Sequence, residues 1–331
     1  MEPAPHTILV HVGGDLVGDA VMKLPFVRAL RHAWPEARVT WCAGKYRSAF
    51  AHELRPLTDG LIDEVIEEAG FDRPASMLLR RPLGGRRFEL VIDTQRGVPM
   101  TLLLRRIRHG RFISGAADFL LSDARPPRGY ARPAGMVRQM LDLLELASGR
   151  PAVPDAPLAI DRETLAAAAA ALPAGPVYVG LAPGAGGRRK CWPLENFIAL
   201  ARRQHAAGRV PVFILGPGEA DWLATLREAA PEARFPTAGK DDTLAPSISL
   251  SIALGRRLAA AVANDAGTGH ILAAADTPLV SLFGPTPAAK FAPAAKRLAL
   301  IEAQRFGSEA MTAIPRDAVA DAVERLLGGG G

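Results

Sequence analysis

Residues 262–286 read VANDAGTGHILAAADTPLVSLFGPT. An apolar run ends at Asn264-Asp265, a turn carrying Gly267 and Gly269 follows, and a helix of small residues is predicted over 268–275. A second apolar run, 279–283, then ends in Phe-Gly-Pro-Thr. A strand, a helix and a strand in this order form a right-handed crossover, which makes the two strands parallel and puts both turns on one edge. Small residues let the backbone approach a ligand closely, and a helix N-terminus there favours an anion. His270 could meet phosphate or sugar. A single histidine in such a place is more often a packed core residue.

The same rhythm runs along the chain. Strands are predicted over 7–12, 38–42, 64–66, 89–93 and 112–114, and again over 177–181, 210–215, 261–263, 279–283 and 298–301. Helical spacing of apolar residues falls between them over 18–32, 136–147, 194–207, 221–229 and 247–258. Pro25 is expected to kink the first helix or delay its regular start. Between the halves lies GRPAVPDAPLAI, with Pro151, Pro154 and Pro157 marking a linker. The fold class expected is therefore α/β, with two doubly wound, Rossmann-like domains, 1–157 and 158–331, facing a central cleft. Such sheets bind ligands at the carboxyl ends of their strands. The last helix, 315–327, is left open between packing on its own domain and packing back on the N-terminal one.

Composition narrows the class. The 331 residues are 49% hydrophobic and 22% charged, as in a globular protein. No apolar run is long enough for a bilayer, and MEPAPHTILV lacks a secretory pattern, so a cytoplasmic location is expected. Two cysteines make neither a disulfide framework nor a metal cluster. The net charge is +6, and arginines cluster at Arg80, Arg81, Arg86 and Arg87 and at Arg105, Arg106, Arg108 and Arg111. These suit an anionic partner or are simply a solvated face. With only 6% aromatic residues, stacking on single-stranded nucleic acid is not expected.

Two further stretches sit at strand-to-helix turns. In HVGGDLVGDAVMKLP, residues 11–25, the glycines at 13, 14 and 18 fit neither the dinucleotide fingerprint nor the phosphate-binding P-loop. Asp15 and Asp19 crowd one turn. Asp15 is expected to bond its own backbone amides and shape the loop. In LAPGAGGRRKCWPLENF, residues 181–197, a glycine-rich loop passes three cations and enters a helix at Pro193. Its free amides and Lys190 could converge on a diphosphate. ILGPGEAD, 214–221, is a fourth such turn.

The ordered set resembles glycosyltransferase family 9, the lipopolysaccharide heptosyltransferases. The residues that match are Val17-Gly18-Asp19, Val91 to Gln95, Pro183-Gly184-Ala185 with Lys190-Cys191-Trp192-Pro193, Gly216 to Glu219, and Asn264-Asp265-Ala266-Gly267 with His270 and the Phe-Gly-Pro-Thr turn. The resemblance implies a GT-B fold and inverting, metal-independent transfer of a sugar, typically heptose from ADP-heptose, to a lipopolysaccharide core or related acceptor. No cofactor is implied. By position, Asp19 matches the general base, Lys190 the lysine on the donor phosphates, and Asp265 the acid of the nucleotide-sugar pocket. Pro183, Gly184, Ala185, Gly216, Glu219, Asn264, Ala266, Gly267 and His270 are assigned to that pocket, and Gly14, Asp15 and Gln95 to the acceptor. The partners expected are the nucleotide sugar, a lipid-linked or core oligosaccharide, and the inner face of the membrane, to which the arginine clusters would be suited. Ala266 departs from the family's Ser or Thr, and Gly-Thr-Gly at 267–269 from Gly-Pro-Met. Two other readings use the same architecture: a sugar-nucleotide epimerase, which needs more acid/base groups, and a non-catalytic nucleotide-sugar-binding protein.

Overall fold

The computed structural model describes residues 3–44, 46–71, 81–237 and 247–328. The chain divides into two compact units, Met1–Ala159 and Ile160–Gly331.

In the first unit, strands β1 (Thr7–Val12), β2 (Arg38–Ala43), β3 (Glu64–Ile66), β4 (Arg87–Asp93) and β5 (Arg108–Ser114) form one sheet in the order β3-β2-β1-β4-β5. Every pairing is parallel. β1 is buried almost throughout, as expected of a parallel strand covered on both faces. Helix α1 (Val17–Ala33) packs beside α3 (Met136–Ser148), while α2 (Val98–Leu104) follows β4. Phe26 of α1 and Phe50 lie against Trp41, with ring centroids 6.3 and 5.0 Å away. A second apolar cluster around Leu9, Val91, Leu104 and Phe112 covers the sheet elsewhere. Pro25 does not delay α1, which runs unbroken from Val17. β5 starts at Arg108, four residues earlier than the sequence predicts. Its exposure alternates before becoming buried, as in an edge strand, with Arg108 exposed and Arg111 half-buried.

Just beyond β5 the backbone is strained. Ala117, Asp118 and Phe119 take φ of 47°, 53° and 65° in succession. A left-handed conformation costs roughly 1–2 kcal/mol for each residue with a Cβ. Phe119 is nevertheless buried and meets Tyr130 edge-on at 5.7 Å.

The second unit repeats the plan. Strands β6 (Tyr178–Ala182), β7 (Val210–Phe213), β8 (Ala260–Asn264), β9 (Leu279–Phe283) and β10 (Leu298–Glu302) pair in parallel in the order β10-β9-β8-β6-β7. The central strand β8 thus lies between β6 and β9. The helices are α4 (Arg162–Ala171), α5 (Leu194–Ala206), α6 (Leu223–Ala229), α7 (Ile248–Gly255), α8 (Gly267–Ala274), α9 (Ala288–Phe291) and α10 (Arg316–Gly328). α10 packs against β8, β9, β10 and α5, which decides the position the sequence leaves open. Val319 and Val323 join Trp192, Phe197 and Phe213 in one core. α4 is absent from the sequence reading. Its alanine run and the cap at Asp161, which accepts from the Thr164 amide at 2.7 Å, are its signals.

Candidate active site

The turns singled out in the sequence all follow carboxyl ends of strands. In the first unit the two aspartates of the β1–α1 turn have opposite surroundings. Asp15 is 2% exposed. Its carboxylate accepts from Lys23 Nζ at 2.5 Å, from the Trp41 indole at 3.2 Å and from the Ser48 hydroxyl. Lys23 also reaches the Gly14 carbonyl at 3.3 Å. Gly14 has φ 147°, and a Cβ there would lie 2.6 Å from Tyr46 Cβ, so the turn needs glycine at that point. Asp15 therefore bonds side chains from α1, β2 and the β2 loop rather than its own amides. Asp15 cannot serve the acceptor as expected, because its oxygens are enclosed and occupied. Asp19, one turn into α1, is exposed and has no side-chain partner among the described residues.

Gln95 is half-buried, with its Oε1 3.4 Å from where a Cβ on Gly13 would sit. Beneath it lies a network the sequence reading missed. Asp93 accepts from Thr101 at 2.7 Å, Ser114 at 3.0 Å and the Gln95 amide at 3.0 Å, and its Oδ1 is 3.0 Å from His11 Nδ1. The Nε2 of His11 is buried without a partner among the described residues. The Asp in Val-Ile-Asp-Thr-Gln was the available signal. It ends a strand inside an apolar run, where a carboxylate needs several donors.

In the second unit, Asp265 follows β8. Its Oδ2 accepts from Lys190 Nζ at 2.8 Å and from the Thr286 hydroxyl at 2.5 Å. Lys190 comes from the loop after β6 and Thr286 from the turn after β9, the two strands flanking β8. The Lys190 side chain is 30% exposed and that of Asp265 9%. Lys190 is placed by its neighbour: Trp192 is buried, its indole donates to the Ile314 carbonyl at 3.0 Å, and its amide donates to Asn264 Oδ1 at 3.0 Å. Arg188 turns away to Asp221, 2.7 Å, and stacks 4.0 Å over Trp222. Only Lys190 of the three loop cations joins Asp265.

α8 begins at Gly267 behind Ala266, whose side chain supplies no cap. The Gly269 amide donates to the Ala266 carbonyl at 3.0 Å, and no side chain caps the amides before it. His270, in the first turn, is half-buried, and burial pushes its pKa down to about 4, with Asp265 pulling the other way. It is neutral at pH 7. Glu219 accepts from the Gly216 amide at 2.7 Å and lies across Gly184, where a Cβ would come within 2.2 Å of its Oε1. Among the described residues no three His, Cys, Asp or Glu side chains form a metal-ligand set.

The family model for glycosyltransferase family 9 (heptosyltransferase) matches residues 77–312. The chain belongs to this family. Among solved structures, the family 9 glycosyltransferase of Veillonella parvula shares 19% identity at a TM-score of 0.71, covering 99% of this chain and 98% of that one. E. coli ADP-heptose lps heptosyltransferase II shares 20% identity at a TM-score of 0.64, covering 97% and 98%. E. coli heptosyltransferase WaaC with ADP shares 19% at 0.65, covering 97% and 99%. No curated protein matches the sequence. These likenesses give the GT-B fold of this glycosyltransferase, two parallel α/β units.

Within this family 9 chain, the residues assigned to the nucleotide-sugar pocket fall into two groups. Lys190, Asp265, Gly267 and His270 gather around the head of α8. Asn264 does not present its amide to a ligand: it is 1% exposed, with Oδ1 holding Trp192 and Nδ2 donating to the Pro183 carbonyl at 2.7 Å. Pro183 and Gly184 are likewise buried, and Ala185 is half-buried. Thr286, quoted only as part of a turn, proves to be a partner of Asp265.

The arginine clusters are largely engaged inside the first unit. Arg86 makes a two-pronged pair with Glu64 at 2.8 and 2.7 Å. Arg105 holds Asp123 and the Leu121 carbonyl, and Arg111 holds the last carbonyls of α3. Arg87 and Arg108 pair in register at the amino ends of β4 and β5, the edge away from the site. Arg80 lies outside the described residues. No helix among the described residues is long and apolar enough to cross a membrane.

Proposed function

We propose that this glycosyltransferase moves a heptose from ADP-heptose, with inversion and without a metal, to a hydroxyl of a lipopolysaccharide core or related surface glycan in the cytoplasm. The observation that carries the reading is the Lys190–Asp265–Thr286 cluster at the uncapped head of α8. A cation and a helix N-terminus there would meet the charge that grows on a departing nucleoside diphosphate. Two of the structural relatives are described in their own names with ADP or ADP-heptose, which supports the choice of nucleotide.

In this mechanism the acceptor hydroxyl attacks the anomeric carbon as the diphosphate leaves from the opposite face. The hydroxyl grows acidic as the bond forms, and Asp19 accepts its proton. An exposed carboxylate without a competing cation is free for that role. The leaving diphosphate is held by Lys190, with Asp265 and Thr286 fixing the direction of its ammonium. Gln95 and the glycine turn shape the acceptor side.

A thermal-shift series with ADP, UDP, GDP and their sugars tests the donor, and a transfer assay with ADP-heptose and heptose-deficient lipopolysaccharide tests the reaction. A ligand at a hundredfold excess over its Kd stabilises by about 2.7 kcal/mol. ADP and ADP-heptose are expected to stabilise most, and EDTA to leave transfer intact. Preference for UDP compounds, turnover of the nucleotide sugar without acceptor, or strict Mg²⁺ dependence would each overturn part of the reading.

A further inference from the structure

The loop that carries Lys190 is packed at its end but not at its start. A Cβ on Gly186 or Gly187 would meet no atom beyond its chain neighbours within 4 Å, so the backbone enters the cation turn unsupported. Within the turn, the Lys190 amide donates to the Gly187 carbonyl at 2.9 Å and the Cys191 amide to the Arg188 carbonyl at 3.0 Å. The Cys191 thiol also turns back on the Gly187 carbonyl, 3.7 Å away. These bonds close the turn on itself without anchoring it to the rest of the unit. Two residues after Lys190, Trp192 fixes the far end in the core.

Two residues before Lys190, Arg188 reaches the other way. Its guanidinium lies 4.0 Å from the ring centroid of Trp222, and its Nη2 donates to Asp221 at 2.7 Å. Both partners end the short turn Pro217–Trp222 that follows β7, and Trp222 packs against the same core as Trp192. Residues 188–190 form a single tight helical turn, in which successive side chains point about 120° apart. β6 lies between β7 and β8, so Arg188 is held on the β7 side and Lys190 on the β8 side, by Asp265. The Arg188–Asp221 pair, 56% and 63% exposed, contributes little alone. The flat face of Trp222 is the stronger hold, because it suits a planar guanidinium better than an ammonium.

We propose that Arg188 is a positioning residue: through Trp222 and Asp221 it fixes the turn from which Lys190 reaches the diphosphate. Lys190 is then bracketed by two tryptophan anchors, one on each side of it in the chain. Without Arg188 the turn swings about the two unpacked glycines. An ammonium already held where the phosphate will sit loses less freedom on binding, which is what Arg188 supplies. Arg188 itself stays beside β7 and touches no phosphate. The proposal rests on the reading of Lys190 as the cation that meets the donor.

Two measurements test it. The first needs no donor: the rate at which acetic anhydride labels Lys190, read by peptide mass spectrometry. Arg188→Ala should raise that rate several-fold, and Trp222→Leu should match it. Arg188→Lys should raise it less, because a cation remains over the ring, and Trp222→Phe, which keeps an aromatic face, should stay near wild type. An unchanged rate in Arg188→Ala overturns the proposal. The second measurement is ADP affinity by calorimetry, in a double-mutant cycle with Lys190→Ala. Arg188→Ala alone should weaken ADP about three- to tenfold. In the Lys190→Ala background it should change nothing, since a residue that acts through Lys190 has nothing left to act on. Equal weakening in both backgrounds would make Arg188 a direct phosphate ligand, and unchanged ADP affinity in Arg188→Ala would leave it a surface ornament; either overturns the positioning role. If the wild-type chain binds no ADP, the donor reading falls, while the labelling rate still decides what Arg188 holds.

Discussion

The two sheet edges handle charge in opposite ways. In the first unit, cations are consumed by structure: Lys23 is locked onto buried Asp15, and Asp93 is saturated by donors, while Asp19 stands bare in solvent. In the second unit the acid is the partner and the cation is the half-open group, with Lys190 resting on Asp265. The difference teaches where reactivity can reside. A carboxylate enclosed by a lysine, an indole and a hydroxyl has no room beside it for a substrate. A bare one can take a substrate's proton, and a lysine steadied by a carboxylate can meet a phosphate without wandering. Each edge thus presents one accessible charged group, Asp19 unpartnered and Lys190 steadied by Asp265.

The sharpest way to break this comparison is Asp19→Asn. Loss of a general base typically costs 10²–10⁴-fold in rate. A drop of that size is expected in transfer, with melting temperature and ADP binding unchanged. An active, well-folded Asp19→Asn enzyme would place the base elsewhere. Asp15→Asn should fail in the opposite manner. It leaves Lys23 buried without its anion, and breaking a buried pair costs about 3–5 kcal/mol. A fall in denaturation midpoint is expected, larger than the ~1 kcal/mol of a lost turn bond. Lys23→Met combined with Asp15→Asn should recover part of it. If the double variant is no more stable than Asp15→Asn alone, the pair is not what holds the turn.

Lys190→Ala probes the other edge. Losing a hydrogen bond to a charged group costs about 1.5–3 kcal/mol, so calorimetry should show ADP affinity reduced roughly 10- to 150-fold. Unchanged affinity would make the lysine a surface cation. The smallest effect concerns His270. Its pKa is about 4 in the folded chain and near 6.5 when unfolded, so the unfolded state takes up the proton first as pH falls. The stability contributed by the neutral, half-buried ring is present above pH 6.5 and is lost progressively down to about pH 4. Replacing His270 by Gln should flatten that part of a melting-temperature profile. An identical profile would show that the ring titrates normally.

The sequence by itself determined the alternation of strands and helices and which turns follow the carboxyl ends of strands. Those features are written in short windows: a buried parallel strand is a run of apolar residues, and a helix shows its period within two turns. The motif residues Asp19, Lys190 and Asp265 were legible for the same reason. The ends of elements were less so. β5 hid behind its arginines, and α4 behind alanines that show no periodic face. Only the tertiary structure decided which polar residues are free. Asp15 and Asp19 lie four residues apart in one turn, yet Lys23, Trp41 and Ser48 enclose one and leave the other bare. Asn264 became a strut between Pro183 and Trp192 rather than a ligand contact. Thr286 and Lys190 met on Asp265 because β8 lies between β9 and β6. Partners of this kind are brought from 21 and 75 residues away by strand order, which is set by the packing of the whole sheet and leaves no trace in any local pattern.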